Sequence, residues 1–364
     1  MKAGLAAIAT GALLVAGTAL VGSLRHDPIG PFGDSTQAAG LEGEQPQAAP
    51  ILPPVPDPAA EAAAKEEQEK DEAAAKAKKE AAAKKKAAAA DDGGTVSLVN
   101  CTKQVTSGAA LTQAISAAKA GDKICATGNM GASRLTVSKG GTATNPVQIV
   151  GNGTTAIKGI TIDASNVVVS GFTSIGPKAP GIELTGNNIT VSNNTVKHPT
   201  GGDYDGLRFF GNNLKILNNT ITDISPDGSG AHADCMQTFA SDTPASQNVL
   251  ISGNKCQRID NQCLIAEGPN DGEGDGKGTT SNITFANNVC EANASQALMI
   301  EDVKNMVVRN NTISGKVDKA FAFDIGSTGA KVLGNKLASG IGYEVGMDAT
   351  SKSGYQGPAV GGGP

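Results

Sequence analysis

Gly206-Leu207-Arg208-Phe209, Cys235-Met236-Gln237-Thr238, Cys263-Leu264-Ile265-Ala266 and Ala297-Leu298-Met299-Ile300 open four successive turns of one repeat. Side chains of a strand alternate, so Leu207 and Phe209 point one way and Arg208 the other. A second short strand follows each opening. Its apolar pairs are Val167 and Val169, Ile189 and Val191, Leu214 and Ile216, Val249 and Ile251, Ile283 and Phe285, Met306 and Val308, Ala330 and Val332. The next turn carries Asn193-Asn194, Asn218-Asn219, Gly253-Asn254, Asn287-Asn288, Asn310-Asn311 or Gly334-Asn335. Asn tolerates a left-handed backbone and bonds locally, so it suits a tight turn, and stacked Asn can form a ladder. Coils take 25 residues from Gly181 to Gly206 and 23 from Ala297 to Ala320. Repeats of this length with alternating strands mark a solenoid. The fold class expected is all-β, a right-handed parallel β-helix. A β-sandwich would need hairpin turns, which are scarce here, and would give no registered Asn column.

Outward from the repeat, Thr106 to Gly121 reads as an amphipathic helix with Leu111, Ile115 and Ala118 on one face. It is expected to cap the open end of the solenoid, whose sheet edges would otherwise invite association. A strand at 123–126 follows. The β-helix domain is placed at 95–354, and the Gly/Pro-rich 355–364 as a fraying tail. Residues 59–90 are Ala, Glu and Lys with i,i+4 Glu-to-Lys pairs, a helical spacer or else a disordered charged tract. Residues 27–58, rich in Pro and Ala, read as a flexible linker. Within 1–26, Lys2 precedes an apolar run closed by Arg25 and His26, a signal peptide or an N-terminal membrane anchor. Either implies export, secreted or to the cell surface, with membrane contact only through that segment. The net charge is −5 and most basic residues cluster in the Ala-rich segment, which argues against nucleic acid.

Insertions single out one face. Plain coils take nine residues from the second Asn to the next first strand, as in Asn311 to Ala320, but Asn194 to Gly206 takes twelve and Asn219 to Cys235 sixteen. Beyond the first strand, Gly206 to Leu214 takes eight residues, Cys235 to Val249 fourteen, and Cys263 to Ile283 twenty. Extra loops on both sides would make walls beside a floor. The floor is the outward column Glu183, Arg208, Gln237, Ile265 and Met299. One wall carries His198, Tyr204, Asp205, Asp227, His232 and Asp234, and the other Asp242 and the loop 267–277. A second outward column runs Phe210, Phe239, Glu267, Glu301, Asp324, aromatic faces followed by carboxylates.

Six Cys suit an oxidising compartment. Cys101 and Cys125 flank the cap helix and are expected to bond. Cys235 with Cys263, and Cys256 with Cys290, occupy the same columns of adjacent coils and are expected to pair along the stack or to remain buried thiols.

The stretches Leu111–Asp122 and Gly140–Val150 resemble the N-terminal coils of pectin-lyase-like β-helix proteins, and are similar above all to the chondroitinase B/alginate lyase type. His232–Gln237 with Gln262–Glu267 resembles secreted actinobacterial right-handed β-helix repeat proteins. The galacturonase motifs and the Arg-x-Pro-x-x-Arg of pectate lyases are absent, so no catalytic residue is carried over. What the resemblance implies is the right-handed β-helix fold over roughly residues 96–350.

The residues themselves supply the roles for a polysaccharide lyase. β-Elimination needs a base near the sugar C5 proton and a cation or Arg to neutralise the uronate carboxylate. The catalytic set expected is His232 as base, Asp234 orienting it, Arg208 on the carboxylate and Tyr204 as acid. Substrate-binding residues are Gln237, Asp205, Phe210, Phe239, Glu267 and Glu301. Ca²⁺ is expected among Glu267, Asp271, Glu273 and Asp275. Two other classes remain open: a glycoside hydrolase pairing Asp205 or Asp234 with Glu267, and a non-catalytic surface protein that binds glycan or cell wall.

Overall fold

The computed structural model describes residues 96–364. The expected signal or anchor, linker and helical spacer lie outside the described residues. Among those that are described, no helix is long and apolar enough to cross a membrane.

The chain winds as a parallel β-helix. Ten strands stack into one sheet: Leu135–Val137, Ile160–Ile162, Ile182–Thr185, Leu207–Phe210, Met236–Thr238, Leu264–Glu267, Gln296–Glu301, Lys319–Asp324, Tyr343–Met347 and Val360–Gly362. This is the floor sheet. A second sheet of 17 strands forms the rest of the wall, with most coils contributing two strands to it. All pairings among the described strands are parallel, as in Leu207 with Ile182 and with Met236, and the register shifts in only three of them. Alternation decides what is buried: Leu207 and Phe209 are 0% exposed, while Arg208 between them faces out. The named apolar pairs of the second strands are all in the core.

The paired turn residues divide two tasks. Asn193, Asn218, Asn287 and Asn310 take positive φ between 53° and 58°, and Gly253 and Gly334 do the same at 70° and 67°. The residue after each builds a buried ladder. Asn219 donates both its backbone N–H (2.9 Å) and its Nδ2 (3.0 Å) to Asn254 Oδ1, and gives Nδ2 also to the Val191 carbonyl. The same pattern runs from Asn194 through Asn288 and Asn311 to Asn335. Each carboxamide thereby satisfies main-chain groups that the turn would leave orphaned in the core.

A helix spans Gly108–Ser116, capped by Ser107, whose side chain accepts from the Ala110 N–H at 3.3 Å. It ends earlier than the sequence pattern suggests. Its Leu111, Ala114 and Ile115 enter the core at the first coil, beside the strand Lys123–Ala126.

Two expectations need correction. The tail does not fray throughout: Val360–Gly362 is the last floor strand, paired with Tyr343–Met347. Gly permits this, because a Cβ on Gly361 would lie 2.5 Å from Tyr343 Cβ. The cysteines bond Cys101–Cys125 as expected, but otherwise Cys235–Cys256 and Cys263–Cys290, with Cα atoms 5.9 and 6.0 Å apart. The columns were right and the partners wrong. Cys256 and Cys290 are indeed register neighbours. Neighbours in a stack point their Cβ atoms in parallel, however, whereas residues facing each other across the lumen of the coil point theirs together, as a disulfide requires.

Candidate functional site

The outward column is continuous through the floor, Thr161, Glu183, Arg208, Gln237, Ile265 and Met299 being neighbours in that order. Glu267, Glu301 and Asp324 align as the carboxylate row. A cleft of ≈ 480 Å³ opens over Arg208, Gln237 and Phe239. Asp203 and His232 edge one side of it, and Glu267, Asp271 and Glu273 the other. The inserted loops therefore do wall a floor.

Phe239 packs edge-on against Phe210 with ring centroids 4.8 Å apart, and the Arg208 guanidinium lies 5.4 Å from the Phe239 ring centre. Phe210 is 2% exposed, so Phe239 is the ring that a ligand can meet. Arg208 gives Nε to Asp205 Oδ2 at 2.7 Å and Nη2 to both Asp203 and Asp205. Among the described residues, only its Nη1 has no protein partner. Asp203 was not singled out from sequence; its signal is the Asp203-Tyr204-Asp205 spacing just ahead of the floor strand.

Asp205 and Asp234 are buried supports beneath the cleft, at 1% and 0% exposure. Asp205 Oδ1 accepts the Asp234 N–H at 2.9 Å; Asp234 Oδ1 accepts the Gln262 N–H and Asn261 Nδ2 at 3.0 and 2.9 Å. Each carboxyl thus holds the next coil's turn. Burial pushes both above the usual carboxylate range, Asp234 well above, with Asp205 adding to it. Asp234 does not line the cleft with His232, and neither Tyr204, His198, Asp227 nor Asp242 is among the lining residues. Tyr204 packs partly against the core instead.

The loop after Glu267 is pinned by Asp302, whose Oδ2 accepts both the Asn270 N–H and Nδ2 at 2.9 Å. Glu267, Asp271 and Glu301 come together, each offering an oxygen within 4.8 Å of the others. Of the four carboxylates expected around Ca²⁺, two are in this group. Glu273 lines the cleft, while Asp275 faces Lys277 at 3.7 Å and lies outside it. Glu301 takes part because the register sets it beside Glu267. Burial, then Asp271, pushes Glu267 up to about 7 against the opposing bond from Gln237 Nε2, with Glu301 and Glu273 adding to the rise. Crowded, half-buried carboxylates of this kind fit a hard divalent cation, which would relieve their repulsion.

A family model described as a right handed beta helix region matches residues 147–337. The chain belongs to that right-handed β-helix family. Among solved structures, this β-helix is similar to an alginate lyase from Paenibacillus sp. str. FPU-7, at 16% identity over 71% of this chain and 99% of that one, with TM-score 0.45. The PL6 polysaccharide lyase Pedsa3628 from Pseudopedobacter saltans is 16% identical over 64% of this chain, with TM-score 0.48; the match spans 63% of that enzyme. A pectate lyase, Bsp165PelA from Bacillus sp. N165, solved with trigalacturonate, is 18% identical over 72% and 82% of the two chains, with TM-score 0.45. These likenesses concern the β-helix fold and assign no residue a role. No curated protein matches the sequence.

Proposed function

We propose that this β-helix protein cleaves an acidic polysaccharide by β-elimination in the cleft over Arg208, Gln237 and Phe239. The observation that carries the reading is the meeting of four chemistries at one cleft: an imidazole, a guanidinium, an aromatic face, and Glu267 and Asp271, which with Glu301 behind them make a carboxylate trio able to hold a cation. Glu267, Asp271 and Glu301 would hold the ion. Bound there, Ca²⁺ would supply positive charge against the uronate carboxylate and so acidify the C5 proton. Phe239 offers its face to a sugar ring, and Gln237 and Arg208 Nη1 offer donors to oxygens. His232, exposed at the cleft edge, takes the C5 proton on a ring nitrogen. The C4–O bond then breaks, C4=C5 forms, and the leaving oxygen takes a proton from water. Three disulfides support a site of action outside the reducing cytoplasm.

The test is incubation of the protein with a panel of uronate polysaccharides, with Ca²⁺ or with chelator, following absorbance of the unsaturated product. Product that forms with Ca²⁺ and fails with His232→Ala is expected. Chain shortening without unsaturated ends would make it a hydrolase. Binding without shortening would make it a glycan-binding protein.

A further inference from the structure

A second cavity, of ≈ 590 Å³, lies on the same side of the molecule toward the N-terminal coils. Arg134, Lys158 and Lys178 line it, together with Thr161 and Glu183 of the floor. It adjoins the cleft, because Glu183 and the cleft residue Arg208 are register neighbours. Arg134 staples the cavity wall. Its Nε gives to Thr161 Oγ1, Nη1 to the Lys178 carbonyl at 3.0 Å, and Nη2 to the Ile160 and Pro180 carbonyls at 3.0 and 2.6 Å. The guanidinium is therefore engaged by carbonyls and fixes the turn that carries Lys178. Lys158 and Lys178 are exposed, and Lys158 Nζ reaches only the Ile175 carbonyl, at 2.6 Å. Among the described residues, none of these three cations is in an ion pair, whereas Lys197, Arg208, Arg258, Lys277 and Lys304 all are. Glu183 lines the cavity with them and, with Asp163, acts on Arg134, so the exposed Lys158 and Lys178 carry its free positive charge.

Charge along the floor is thus polarised. The carboxylates gather at Glu267 and Glu301, and Lys178 and Lys158 sit three and four coils before Glu267, roughly 14–19 Å away at about 4.8 Å per strand. From this we infer that Lys158 and Lys178 form a distal subsite for the carboxylates of a polyanionic glycan whose chain lies along the floor. The inference rests on the acidic-glycan reading of the cleft and narrows it to a polymer with an acidic group on several successive sugars. Such a chain is held by its charge at the cationic end and passes the acidic end at the carboxylate trio. A chain too short to reach from the cleft to Lys178 gains nothing from the subsite.

The experiment is calorimetric binding of oligouronates, from disaccharide to hexasaccharide, to the full chain in chelator. Carboxyl-reduced hexasaccharide is the neutral control. Lys158→Ala/Lys178→Ala is expected to weaken hexauronate binding about tenfold and to leave the disaccharide unchanged, as two exposed charge-assisted contacts allow. Lys158→Arg/Lys178→Arg is expected to restore it, and raised salt to erase the difference. An unchanged hexauronate affinity in the Ala variant, equal losses for short and long ligands, equal binding of the carboxyl-reduced control, or no binding by the natural protein would each overturn the inference. Turnover in the presence of Ca²⁺ is scored separately. Binding that depends on the lysines without unsaturated product leaves the subsite standing and removes the lyase reading; lyase activity indifferent to the lysines does the reverse.

Discussion

At the residue scale, burial separates Arg208 from His232 although both edge one cleft. From sequence, Arg208 is an outward floor residue whose loss should barely affect stability. The structure pairs it with Asp205, which is 1% exposed, and removing one partner of a buried ion pair leaves the other uncompensated. Arg208→Ala is therefore expected to cost about 3 kcal/mol in chemical denaturation at pH 7. His232→Ala, at an exposed site, should stay within about 0.5 kcal/mol while abolishing turnover. Equal stability of the two variants would show that Asp205 is held neutral without its partner. Glu267 gives a pH dependence. Its folded value of about 7 lies above the ordinary carboxyl value near 4.5, so between these the unfolded chain releases its proton first. This group's contribution is thus complete below pH ~4.5 and is lost as pH rises through ~7, where the charged form must sit in the crowded trio. Glu267→Gln should flatten that part of the stability–pH curve, and millimolar Ca²⁺ should raise the melting temperature of the natural protein at pH 8 more than at pH 5. A Ca²⁺ effect that grows toward acid pH would contradict the trio as its site.

At the scale of elements, the Asn ladder ties one corner of six successive coils, and the Cys235–Cys256 and Cys263–Cys290 disulfides close two of them. Asn254 accepts two bonds from Asn219, gives two to Asn288, and is 0% exposed. Asn254→Leu should cost at least about 3 kcal/mol, since several buried main-chain and carboxamide groups lose partners together. The Asn219→Leu/Asn254→Leu pair should cost less than the sum of the single changes, because the bonds between them are counted twice. The disulfides are checked by mass spectrometry of unreduced peptides, which should yield Cys235 linked to Cys256 and Cys263 linked to Cys290. Cys263→Ser/Cys290→Ser should lower stability by roughly 2–4 kcal/mol, closing as it does a loop of separation 27. Recovery of Cys235 joined to Cys263 would restore the pairing along the stack.

At the scale of the whole molecule, each coil touches mainly its neighbours, so stability is close to a sum along one axis. Hydrogen exchange should find the middle coils, from Ile189 to Ser314, the slowest to open, and the first and last strands the fastest. Uniform protection from Lys103 to Gly362 would point to a single cooperative unit. The sequence by itself determined the solenoid: alternation in Leu207-Arg208-Phe209, the spaced apolar pairs and the Asn turns are local signals, and each repeats in register. It also identified the inserted loops and the outward columns, because in a stacked sheet a residue's column follows from its offset along the strand. What only the tertiary structure decided depends on distances across coils. Asp234, two residues from His232, turns beneath the floor to hold the next turn. Cys235 meets Cys256 across the lumen and not Cys263 along the stack. Glu301 joins Glu267 and Asp271, while Asp275, closer in sequence, does not. Residue offset fixes a column and a face, but neither the path of a loop nor the partner across the core; those are set by where packing and buried hydrogen bonds bring the chain.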